Sequence, residues 1–92
     1  SLDFKTPADE YRYELDRHDA HRMILEMVRA ERQLDASTST LVQQALEAAR
    51  TTRAHAEQLA AKGDAKAAIV ELDGATKQLL AAIRRAGLYV PG

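Results

Sequence analysis

Leu59-Ala60-Ala61-Lys62-Gly63-Asp64-Ala65-Lys66-Ala67-Ala68-Ile69 decides the fold. Gly63 supplies the left-handed backbone that ends a helix, and the Asp64 carboxylate is suited to capping the next one. With so short a connection the chain turns back on itself, and the flanking helices must lie antiparallel. Upstream, a helix over about 40–62 gathers Leu41, Val42, Ala45, Ala49, Thr52, Ala56, Leu59 and Ala60 on one face. Gln43, Gln44, Glu47, Arg50, Thr51, Glu57 and Gln58 fill the other, which is the 3.6-residue period of an amphipathic helix. Downstream, a helix over about 65–86 turns Ala65, Ala68, Ile69, Leu72, Ala75, Thr76, Leu79, Ile83 and Ala86 inward. Arg84 and Arg85 sit in its negative last turn, Gly87 ends it, and Leu88 is placed to fold back on Ile83.

The first helix spans about 7–34. Thr6 caps it, Pro7 takes its first position and Asp9 its third, a variant of the capping box. Its end is expected at Asp35-Ala36-Ser37-Thr38-Ser39-Thr40, where five residues favour local hydrogen bonds to their own backbone over a helix interior. The whole is an all-α, up-down-up three-helix bundle in one domain, residues 1–92. Residues 1–6 form a short extension and 87–92 an extended tail, in which Tyr89 and Val90 are expected to fold over the bundle end.

Residues 55–76 resemble the helical hairpin at the middle of a tetratricopeptide repeat, through Leu59, Gly63-Asp64, Ala68-Ile69, Leu72 and Ala75. The resemblance implies a closely packed hairpin. It does not extend to a peptide-binding groove, because the repeat's closing proline is missing and no second copy follows at its 34-residue period.

Much of the 46% hydrophobic content is alanine and only 4% is aromatic, so helix formation is favoured while core volume is scarce. A partner surface would help offset the shortfall. The formal charge of −1 lacks the basic excess of a nucleic-acid binder. Residues 1–36 carry nine acids and six bases, and the remainder five acids and seven bases, an asymmetry that favours head-to-tail contact between helices or subunits. No cysteine is present, which removes disulfides, thiolate metal sites and cysteine nucleophiles. No apolar run is long enough to span a membrane.

The first helix differs from its neighbours in carrying two apolar stripes. One runs Tyr13, Ala20, Ile24, Met27, Leu34; the other, roughly opposite, runs Tyr11, Leu15, His18, Leu25 with Val28 at its margin. A helix in a three-helix bundle buries a third to a half of its circumference, so one stripe is in excess. The sequence reading assigns the second stripe, Tyr11, Leu15, His18, Leu25 and Val28, to an interface with a second copy or another helical protein. A homodimer is the simplest closure.

Candidate chemistry is sparse. Glu14, His18 and His21 are spaced to offer a carboxylate and two imidazoles to one divalent ion, with Asp16 or Asp19 behind them and His55 on a neighbouring helix. Against that stands the ordinary reading of solvated or interface histidines in a charged helix. Met23 and Met27 read as packing or as an adaptable contact surface. The serines and threonines at 37–40 and 51–52 lack the partnered base and glycine-shaped turn of a nucleophile, and no phosphate loop is present. The expectation is therefore a non-enzymatic helical protein acting through association, with a metal- or ligand-binding helical assembly as the alternative.

Overall fold

A computed structural model describes residues 3–89. It shows three α-helices packed on one another: α1 (Pro7–Glu31), α2 (Ala36–Ala61) and α3 (Ala65–Arg85). The helix starts follow side-chain chemistry. Thr6 Oγ1 accepts from the Asp9 amide at 3.1 Å, Asp35 Oδ1 from the Thr38 amide at 2.8 Å and Asp64 Oδ1 from the Ala67 amide at 3.2 Å. Each bond satisfies an amide that the first helical turn leaves without a partner.

The ends are equally local. Gly63 adopts φ +89, and the Asp64 amide donates to the Leu59 carbonyl at 2.9 Å, closing α2. Gly87 adopts φ +99, and the Leu88 amide donates back to the Ile83 carbonyl at 3.2 Å. Leu88 thereby packs against the core, as expected for this terminator. Tyr89 does not fold over the bundle end as expected: it is 77% exposed, its ring centroid 6.0 Å from the Arg84 guanidinium carbon, and the expected placement of Val90 falls outside the described residues.

The first connection lies earlier than the sequence suggests. α1 stops at Glu31, and Arg32 turns extended at φ −113, ψ 144. α2 starts at Ala36, so Ser37-Thr38-Ser39-Thr40 forms its first turns instead of a loop. Asp35 is the reason: as N-cap it also accepts from the Ser37 hydroxyl at 3.2 Å. Thr40 Oγ1 donates to the Ala36 carbonyl at 3.0 Å. Residues that compete with a helix interior are well suited to its first turn.

α3 is the shared element. It packs against both other helices, whereas α1 and α2 touch each other less and leave a groove between them. The core has two parts. Toward one end, Leu25 of α1 meets Val42, Ala45 and Ala49 of α2 and Leu79, Ala82 and Ile83 of α3. Toward the other, Tyr11 and Leu15 of α1 and Leu59 of α2 pack on Ala56, Ala68 and Leu72. The order of these contacts makes α1 and α3 parallel and α2 antiparallel to both. Alanines supply most of the α2 face, which lets the helices approach closely.

Between the two apolar parts lies a polar layer. His18 and Thr76 are both 0% exposed there. At the same level Arg53 grips Asp19 through two hydrogen bonds of 2.8 and 2.9 Å, joining α2 to α1. On the other side Arg17 approaches Asp73 at 3.8 Å, joining α1 to α3.

Candidate interaction surface

The two faces of α1 exchange the roles expected of them. Leu25 and His18 are fully buried, Val28 nearly so, and Tyr11 and Leu15 are half-buried against α2 and α3. Tyr11, Leu15, His18, Leu25 and Val28 are thus the core face of α1, not a surface left over for a partner. The apolar residues left outside belong to the other stripe: Tyr13 is 41% exposed, Met23 56% and Met27 58%. Ala20 lies exposed between them and Ile24 is half-buried at the edge. The physical reason is on the helix itself. Asp16 sits within the Tyr13–Ala20–Met27 stripe, and a carboxylate there would have to be desolvated if the stripe faced inward. On the core face the polar groups are a neutral-capable histidine and residues at the margin that find ion-pair partners.

The outward stripe is continuous with a cleft of about 250 Å³ bounded by Ile24, Met27, Val28 and Leu88, with Glu31 and Arg32 at its rim. Phe4 extends the stripe at the other end, its ring 5.4 Å from that of Tyr13. Together these residues make an apolar line along α1 that Asp16 interrupts. Methionine suits such a line because its unbranched, polarisable side chain adapts to varied surfaces.

The histidines do not assemble into a metal centre. His18 Nδ1 lies 3.1 Å from Asp19 Oδ1, and His21 Nδ1 donates to the Arg17 carbonyl at 2.8 Å. The Nε2 atoms of both rings and Glu14 Oε2 are buried without a hydrogen-bond partner. Yet among the described residues no group of three or more His, Cys, Asp or Glu side chains is placed to hold a metal ion. Glu14, His18 and His21 share one flank of α1 without converging. His55 is elsewhere, exposed, with Nδ1 2.7 Å from Glu71 Oε1 across α2 and α3.

Electrostatics mark the same region. Burial pushes the Glu14 carboxyl above its ordinary value; Arg17 pulls it back, and Asp73 and Glu10 add to the rise. The hydrogen bonds from Arg53 hold the Asp19 carboxyl below its ordinary value and raise that of Arg53 itself. The larger groove, about 740 Å³ between α1 and α2, is walled by arginines and carboxylates in equal number. Much of this charge is used internally: Arg53 bonds Asp19 and Glu57, and Arg22 bonds Glu26. The groove therefore has no charge excess with which to select an ion.

Among the described residues no helix is long and apolar enough to cross a membrane. Comparison with protein-family models, with characterised proteins and with solved structures finds nothing that matches this chain.

Proposed function

We propose that this chain is a non-enzymatic helical interaction module whose working surface is the outward face of α1. The observation that carries the reading is the line of Tyr13, Met23 and Met27, which stay about half exposed although the chain has few large apolar side chains for its core. Covering a half-exposed methionine contributes about 1 kcal/mol, so the line and its cleft together offer several kcal/mol to a partner. That partner is a protein surface, since the stripe is long and narrow, with apolar side chains on either side of Asp16 and charges of both signs beside them.

A photo-crosslinking amino acid placed at Met27 tests this in the producing cell, with Gln44 on the exposed face of α2 as the control position. Discrete protein adducts are expected from position 27 and not from position 44. Equal or absent crosslinking at both positions would overturn the assignment.

A further inference from the structure

All the sulfur of this chain lies in Met23 and Met27, since it has no cysteine. Both stand on the outward face of α1, one helical turn apart, 56% and 58% exposed. Methionine is a common filler of irregular gaps in apolar cores. This core does without it, although large apolar side chains are scarce: its two parts are built from Leu, Ile, Val and Ala, edged by Tyr11. None of those side chains reacts readily with a hydroperoxide, whereas an exposed thioether does. Peroxide chemistry on this chain therefore falls on the working face and spares the interior.

Resting on that reading of α1, we propose that Met23 and Met27 form a reversible oxidation site, and that their conversion to sulfoxides releases the protein partner while the bundle stays folded. In the forward step a thioether lone pair attacks one oxygen of a hydroperoxide. An S–O bond forms as the O–O bond breaks, and the sulfur gives up two electrons. The proton of the attacked oxygen passes to the departing one, which leaves as an alcohol, or as water from hydrogen peroxide. The return takes two electrons from a pair of thiols, which become a disulfide while the sulfoxide oxygen leaves in water.

The surroundings give the modification its effect. Met27 is one wall of the cleft of about 250 Å³, facing Ile24, Val28 and Leu88. Those walls offer no donor to a sulfoxide oxygen, and Arg32 at the rim is turned to the Ala86 carbonyl, 3.3 Å away. Covering the oxidised face with an apolar partner surface would strip water from a strong acceptor and leave it unsatisfied. In the free chain the same oxygen stays hydrated, because both residues are more than half exposed. The cost thus falls on association and not on folding.

The test uses the purified full chain carrying a photo-crosslinking amino acid at Ala20, exposed between Tyr13 and Met27, so that both methionines are retained. One sample is treated with hydrogen peroxide until mass spectrometry shows both sulfoxides, then freed of peroxide. It and an untreated sample are added to extract of the producing cell, so that the partner itself is never oxidised. Circular dichroism and thermal unfolding should agree between the two samples. The discrete adducts of the untreated chain should fall by about tenfold or more in the oxidised one. Methionine sulfoxide reductases of both stereospecificities should restore them. A chain with Met23→Leu and Met27→Leu keeps the apolar volume without the sulfur, and its adducts should survive the same peroxide treatment. Equal capture by oxidised and untreated chains overturns this inference and leaves the reading of the α1 face standing. An oxidised chain that unfolds, or a leucine variant whose capture is also lost after peroxide, overturns it as well. An untreated chain that gives no discrete adduct removes the reading of the face, and this inference with it.

Discussion

Thr76→Val is expected to stabilise the protein. Thr76 is 0% exposed, and its hydroxyl is buried without a hydrogen-bond partner at the level where the two halves of the core meet. A buried hydroxyl left unsatisfied costs about 1–3 kcal/mol relative to its satisfaction by water in the unfolded chain. Valine has nearly the same shape and is also β-branched, so helix propensity and side-chain stiffness largely cancel in the comparison. Replacing the hydroxyl by a methyl should therefore gain about 1–2 kcal/mol. For a domain of this size that corresponds to a rise in Tm of roughly 5–10 °C. Urea unfolding followed by circular dichroism gives the same quantity, with the midpoint moving up and the slope unchanged. Thr76→Ala should show a smaller gain or none, because it also opens a void. A loss of about 1 kcal/mol or more on Thr76→Val would refute the reasoning, since it would mean that the hydroxyl is engaged and the polar layer holds the core together.

The assignment of the two faces of α1 makes a contrast that stability measurements can read: Leu25→Ala, at a fully buried position, should cost about 3 kcal/mol, whereas Met27→Ala in dilute protein should stay within about 0.5 kcal/mol of wild type. Glu14→Gln should stabilise the chain at neutral pH. Burial raises the folded pKa of Glu14, so its ionised form opposes folding above that value, and the difference from the variant should close as acid protonates the carboxylate. Asp19 has the opposite sign. Its folded pKa lies below the ordinary 3.8, so its contribution is present above that pH and is lost as the pH falls through the folded value. Asp19→Asn should therefore flatten part of the acid limb of the stability curve, measured by thermal melts at successive pH values.

The hairpin of α2 and α3 was legible residue by residue, because the signals that make it are local. Gly63, Asp64 and Gly87 act on their own backbone, and the alanine faces repeat with the helical period. The break before α2 was legible in place but not in register. Asp35-Ala36-Ser37-Thr38 contains the residues of both a loop and an N-cap, and only the bond from the Thr38 amide to Asp35 separates the two. The working surface was harder to read. Two apolar stripes on α1 have similar length, and which faces inward depends on partners distant in sequence. Arg53 holds Asp19, and Arg17 meets Asp73, from helices that the period of α1 says nothing about. One local signal carries the answer, namely Asp16 in the middle of the Tyr13–Met27 stripe. The polar layer at His18 and Thr76 had no local signature, since each residue is compatible with either a core or a surface position.

Met23 and Met27 are the only methionines of the chain, and both lie on the outward face of α1. Their oxidation by hydrogen peroxide, followed by mass spectrometry, therefore reads the exposure of that face without any substitution. In dilute protein both should oxidise rapidly, as thioethers more than half exposed. Oxidation that is slow even in dilute protein would contradict the outward placement of this face.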